Sequence, residues 1–359
     1  MEKTTPNARV TQRDVARKAD VSIAAVSLAL RNSERISKPL KEKILRIAGE
    51  MGYVRDGRLA ELMAHLRKRT GQEGNGANLG VLFPASISPY PDQQSGSVRA
   101  LFQSIKEEAK RSGYVVDPIY LAKDAFSASR LKQILLARGI RGVVLMPPSG
   151  DDETIFALDY ADLSAVALGY DLRELEVNRV CPDYLKMLDE LVEGLLAKGY
   201  RRIGVCLGGE ADSASNRRLM HALDLVLRGS PAVELVPFLP ASSDREEDLK
   251  SWMSAYAPEV VVGGCEAFAR YEAMPSEILG DSIFVSMDSS EASDSVDLGL
   301  NHRHDLAGVY AVKAVVAGIN QRECGLPQHP FITMVDSCVD GIDELETLSR
   351  EGEALAVNV

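Results

Sequence analysis

Few side chains in this sequence stand in a pattern that does chemistry. His302 and His304 flank Arg303 at a spacing that can take a metal ion or an anion, but no cysteine or acidic residue accompanies them at ligand spacing. They read as loop residues, and neither a metal site nor a cofactor is expected. Gly208-Gly209 and Gly263-Gly264 follow apolar runs and read as turns at strand ends rather than phosphate cradles. Asp151-Asp152-Glu153 suits a helix N-terminus, where carboxylates favour the dipole, and Trp252 falls on an amphipathic helix as a core residue. Phosphate-binding, zinc-protease and esterase signatures are missing from the sequence. Cys181, Cys206, Cys265, Cys324 and Cys338 are widely spaced without a C-x-x-C, so they read as reduced structural thiols. No enzyme is expected from these residues.

The feature that stands out is electrostatic. Residues 1–70 hold 16 of the 41 Lys and Arg and 8 of the 52 Asp and Glu, so the net charge of -11 hides a head at +8 on a body at -19. A basic head on an acidic body is the charge pattern of a module that meets phosphates, carried by a domain that does not. No apolar run is long enough to span a bilayer and the first residues hold no apolar signal core, so the expected compartment is the cytoplasm.

The elements that must position these charges can be read locally. Thr11 and Asp14 form a capping box that opens a helix through Lys18, Asp20-Val21 makes a tight turn, and Ser22 caps a second helix from Ile23 to Arg31. Val26 and Leu30 are spaced for burial, while Ala24, Ser27, Leu28 and Arg31 fall on the other face. This is the helix-turn-helix layout. A third helix starts at the Ser37 cap, tolerates Pro39 in its first turn and stops at Gly52. From Leu79 onward short apolar strands alternate with amphipathic helices, which predicts two doubly wound α/β lobes.

Residues 10–53 resemble the N-terminal module of LacI-type bacterial transcription regulators, through Asp14-Val15-Ala16, Val21-Ser22, Val26-Ser27 and Glu50-Met51-Gly52-Tyr53. The resemblance implies that Ile23, Ala24 and Leu28 read bases, and Arg31 lies one turn beyond Leu28 on the same face. Thr11, Ser22, Ser27 and Asn32 are placed for contacts to the DNA backbone. In that family the next segment is a hinge that inserts a leucine into the minor groove. Leu62 matches the wedge by position, with Leu59, Met63 and Leu66 as other apolar candidates, while Asp56-Gly57 and Leu59 depart from the pattern. The expected domains are a helix-turn-helix head over 1–54, a hinge and linker over 55–76 and a two-lobed core over 77–359.

The core also resembles this family, in the stretches ALGYDLRELEVNRVCPDY, LLAKGYRRIGV, NRRLMHAL, VSMDSS and GLPQHP, and such cores are similar to periplasmic sugar-binding proteins. The resemblance implies a small effector, a carbohydrate or derivative, held between the lobes by Arg218 and Asp288, with Asp183 at the first crossover. Tyr170 or Phe83 would supply an apolar wall, and His221 stands where relatives have a small residue. The expected partners are double-stranded operator DNA, the effector and a second copy of the chain, as a ligand-controlled repressor. The competing reading is a cytoplasmic small-molecule binding protein or enzyme on the same lobes without a DNA role. The C-terminal tail lacks sustained leucine heptads, which favours a dimer over a tetramer.

Overall fold

Helices α1 (Gln12–Ala19), α2 (Ile23–Ala29) and α3 (Lys38–Glu50) open the fold. Each is too short to persist alone, so packing must hold them. Val15, Ala16, Ala19, Val26, Ala29, Ile44, Ile47 and Ala48 form their shared core. The turn between the first two helices places Asp20 in the left-handed region at φ 56°, and the Val21 amide donates back to the Ala16 carbonyl at 3.0 Å. Ser22 then caps α2, its Oγ accepting from the Ala25 amide at 3.1 Å. Ser37 occupies the N-cap position of α3 without a side-chain cap bond, and Pro39 sits in the first turn.

The computed structural model describes residues 12–29, 36–51, 77–121, 127–147, 153–172, 174–206, 214–239, 246–292 and 298–348. The chain divides into two units, Met1–Gly74 with Gly318–Glu323 and Asn75–Ala317 with Cys324–Val359. The second unit contains two six-stranded sheets.

The first sheet comprises β1 (Ala77–Phe83), β2 (Tyr114–Tyr120), β3 (Gly142–Leu145), β4 (Ser164–Leu168), β5 (Asn178–Pro182) and β11 (Ile332–Val335), in the order β11-β5-β4-β3-β1-β2. Every pairing in it is parallel. The second comprises β6 (Arg202–Cys206), β7 (Glu234–Leu235), β8 (Val260–Gly263), β9 (Ile283–Ser286), β10 (Leu298–Asn301) and β12 (Cys338–Asp340), in the order β12-β10-β9-β8-β6-β7, with β12 antiparallel to β10. Parallel strands covered on both faces need continuous apolar runs, and β3, β4 and β8 are buried at every position. In the apolar run over residues 233–238, only Glu234 and Leu235 are in strand, as β7.

Helices connect the strands. They are α4 (Gly96–Arg111), α5 (Ala128–Ala137), α6 (Glu153–Ala157), α7 (Tyr184–Ala197), α8 (Ala214–Gly229), α9 (Glu246–Tyr256), α10 (Cys265–Glu272), α11 (Ser276–Leu279) and α12 (His304–Gln321). Trp252 is buried, as its helix position predicts, and its indole donates to the Pro237 carbonyl at 2.7 Å. The Trp252 ring fills the space above Gly204, where a Cβ would lie 2.4 Å from it. Gly263 and Gly264 form a strand end and the N-cap of α10, in agreement with the turn reading. The chain passes between lobes after β5, after β10 and between β11 and β12.

Candidate functional site

In an open doubly wound sheet, ligands meet the carboxyl ends of the strands where the strand order reverses. Here β1 lies between β2 and β3, and β6 between β7 and β8, so each lobe has such a switch point. The segments leaving the carboxyl ends carry Tyr170 after β4, Gly96 at the start of α4, Arg218 on α8 and the Asp288–Glu291 turn after β9.

Those segments meet in a continuous chain of contacts. The Arg218 guanidinium lies 4.6 Å from the Tyr170 ring centroid, which joins a second-lobe helix to a first-lobe loop. Tyr170 packs on Tyr184 at 5.5 Å, Tyr184 on His302 at 5.6 Å and His302 on His304 at 5.6 Å. Burial first, then the neighbouring Cys181, pushes the Tyr170 hydroxyl up to about 12. Burial likewise pushes the Cys181 thiol up to about 12, and its Sγ lies 3.3 Å from the Gly169 carbonyl.

At the other end of this chain, Asp288 receives three hydrogen bonds. Its Oδ1 accepts from the Ser290 amide at 2.9 Å and the Ser290 hydroxyl at 2.6 Å, and its Oδ2 lies 2.9 Å from His304 Nε2. Burial alone would raise this carboxyl, but the His304 hydrogen bond and the charges of both imidazoles outweigh it and hold the group at about 2. Asp288 is therefore ionised. His302 Nε2 lies 2.9 Å from the Met287 carbonyl, and burial lowers the pKa of this imidazole against the opposing pull of Asp288.

Glu291 forms a second bridge between the lobes. Its Oε2 accepts from the Gly96 amide at 2.9 Å and its Oε1 from the Ser97 amide at 2.7 Å, capping the first turn of α4 from the opposite lobe. The backbones approach so closely that a Cβ on Gly96 would lie 1.8 Å from the Ser290 carbonyl oxygen.

Among the expected effector residues, Arg218 and Tyr170 are brought together and Asp288 is drawn instead to Ser290 and His304. Phe83 is fully buried, stacked on Tyr120 at 4.4 Å and edge-on to Phe102 at 5.1 Å, so it presents no wall in this arrangement. Asp183 caps α7, accepting from the Lys186 amide at 3.3 Å. The exposed His221 lies on α8. Sequence reasoning missed Glu291, Gly96 and Tyr184, and it set aside His302 and His304.

In the head, α2 follows α1 through the Asp20 turn, and Leu28 is half-buried on it. The side chains of Ile23, Ala24 and Ser27 lie outside the described residues, as do Thr11, Arg31, Asn32 and Leu62.

The sequence profile of the lacI family of bacterial regulatory proteins matches residues 11–56. The profile of periplasmic binding proteins and the sugar-binding domain of the LacI family matches residues 77–266, more than half of the chain. The chain belongs to the LacI family. This LacI-family chain is 28% identical over 209 residues to the maltose regulon regulatory protein MalI of Escherichia coli K12, covering 57% of this chain and 55% of that one. It is 22% identical over 210 residues to the ribose operon repressor of Haemophilus influenzae Rd, covering 58% of each. The matched region thus spans less than two thirds of either relative. In fold it is similar to the transcriptional regulator CelR–cellobiose complex, with TM-score 0.55 and 17% identity over 92% of this chain and 98% of that one. It is also similar to the lac repressor dimer bound to operator and an anti-inducer, with TM-score 0.52 and 19% identity over 93% and 98%. Among the described residues, no helix of this LacI-family member is long and apolar enough to cross a membrane.

Proposed function

We propose that this protein is a sequence-specific, DNA-binding transcription repressor of the bacterial cytoplasm, controlled by a small ligand held between the core lobes, rather than an enzyme. The observation that carries this reading is one chain joining a helix-turn-helix profile at residues 11–56 to a LacI-family sugar-binding core at residues 77–266. The +8 charge of residues 1–70 supports it, since a lobed binding protein without a DNA role gains nothing from a basic head. Ile23, Ala24 and Leu28 read bases, with Arg31 reaching a base edge or a phosphate, and Thr11, Ser22, Ser27 and Asn32 fix the register. Ser22 retains its hydroxyl proton for a phosphate while its oxygen caps α2. Leu62 is the minor-groove wedge of a hinge over 55–76.

Arg218 over Tyr170 supplies hydrogen-bond donors beside an aromatic face, a surface suited to a polyol or sugar. The relatives named for maltose and ribose operons favour a carbohydrate effector. The working form is a homodimer. Its support is β11, an edge strand among the described residues, where Ile332 and Met334 are 52% and 55% exposed and the preceding Phe331 is 53% exposed.

The test combines two measurements on the full-length protein. Retention of labelled duplex DNA that falls steeply with salt supports the head's role, and absence of retention at low salt contradicts it. A thermal-shift screen of sugars and sugar phosphates should yield a ligand that raises the melting temperature through mass action. A ligand whose effect survives Arg218→Ala would move the effector away from this site.

A further inference from the structure

The five histidines of the sequence include two, His302 and His304, that converge on the carboxylate of Asp288. One ligand atom from each of Asp288, His302 and His304 lies within 4.8 Å of the other two. The sequence conceals this, because Asp288 arrives from the loop after β9 and the imidazoles from the crossover after β10, and these parallel strands lie side by side. We propose that Asp288, His302 and His304 form a binding site for a divalent transition-metal ion of the zinc class at the crossover between the core lobes. The proposal goes beyond the DNA-binding and sugar-effector reading and does not depend on it.

The donor set suits such an ion. Two imidazoles and one carboxylate are borderline ligands, and three protein ligands leave the fourth tetrahedral position to water. The surrounding bonds orient each ligand as an outer shell does in metal sites. Ser290 occupies Asp288 Oδ1 with its amide and hydroxyl and leaves Oδ2 facing His304. The Met287 carbonyl can accept but not donate, so the His302 Nε2 that faces it carries a proton, and in the metal-binding form of the imidazole the lone pair falls on Nδ1. Arg303, at φ 53° between the two histidines, is held by the Asn301 side chain, whose Oδ1 accepts the Arg303 amide at 2.9 Å.

Little movement is needed. His304 Nε2 and Asp288 Oδ2 are 2.9 Å apart. Zn–N and Zn–O bonds of about 2.1 Å at a tetrahedral angle put such atoms about 3.4 Å apart, so insertion of the ion widens the pair by a few tenths of an ångström. The ion replaces the hydrogen bond, and the Nε2 proton of His304 leaves to solvent.

Asp288 is rooted in the second lobe and His304 opens α12, which is tied to the first lobe by the Ser104 hydroxyl on the His304 carbonyl at 3.1 Å. The ion would therefore join the lobes at their crossover, with Tyr184 packed between His302 and Tyr170.

The test is titration of the chelator-treated full-length protein with Co2+ and Zn2+. Wild type should give the visible d–d bands of tetrahedral Co2+ at one ion per chain, and Zn2+ should displace them. His302→Gln, His304→Gln and Asp288→Asn should each weaken binding by about tenfold or more, and Ser290→Ala by about tenfold. Circular dichroism in chelator confirms that each variant read is folded, and any one folded ligand variant suffices for the comparison. The exposed thiols are controlled by a Cys265→Ser, Cys324→Ser double variant, which should retain the bands. Absence of bands in wild type, their persistence in a folded ligand variant, or their loss in the cysteine variant would overturn the proposal.

Discussion

Glu291 caps the helix that begins at Gly96, 195 residues earlier in the sequence and in the opposite lobe of the core. The carboxylate engages two successive amides, Gly96 at 2.9 Å and Ser97 at 2.7 Å, so the core carries its own anion at a helix terminus. Hydrogen bonds to a charged group contribute about 1.5–3 kcal/mol each, which sets the scale for Glu291→Ala. Its melting temperature should fall by several degrees. Gly96→Ala should open the lobes, because its Cβ would collide with the Ser290 carbonyl oxygen at 1.8 Å. Small-angle scattering should therefore give a larger radius of gyration for Gly96→Ala. Wild-type melting and scattering in both variants would contradict the role of this contact.

The Arg218–Tyr170 pair crosses between the lobes with the cation 4.6 Å from the ring centroid. Arg218 is exposed, so the interaction should amount to about 0.5–1 kcal/mol. A double-mutant cycle of Arg218→Met and Tyr170→Leu in urea should return a coupling of that size. Additive effects would show that the two side chains are neighbours without an energetic link.

Tyr170 and Cys181 give the core an alkaline limit. Both are held at about 12 when folded, whereas free phenols and thiols titrate at about 10 and 8.5. The folded state thus keeps protons that the unfolded state releases. Their contribution is full below about pH 8.5 and is lost as pH rises toward 12. Urea unfolding free energy should decline over that range, and less steeply in Cys181→Ala. Equal slopes for wild type and variant would rule out the thiol as a contributor.

Legibility in the sequence followed local signals. The runs that became β1, β3, β4, β6, β8 and β9 are apolar at successive positions because both faces are covered. Strand β2 was hidden by Asp117-Pro118, which an edge strand tolerates because no neighbour needs the missing amide. Strand β11 shows an exposed, interrupted pattern for the same positional reason. The site was less legible. Asp288 lies 16 residues before His304, and strand pairing rather than spacing brings them together. Glu291 and Gly96 carry no motif, since one looks like any surface acid and the other like any loop glycine.

The β11 edge predicts the oligomeric state. Met334→Asp places a charge among Phe331, Ile332 and Met334, all at least half exposed. Light scattering at micromolar concentration should give two chains for wild type and one for the variant. A wild-type monomer, or an intact variant dimer, would place the interface elsewhere.

Selection from random duplex DNA is the direct measurement of the base reading proposed for Ile23, Ala24 and Leu28. Ile23, Ala24 and Leu28 cannot donate to guanine, but apolar side chains can contact the thymine methyl in the major groove. The full-length protein should enrich an approximately palindromic motif with thymine-rich positions opposite these residues. Leu28→Arg should shift the base opposite residue 28 toward guanine, by about 1–3 kcal/mol of discrimination. Binding that enriches no motif, or a strong wild-type guanine at that position unchanged by Leu28→Arg, would show that these residues do not read bases in this way.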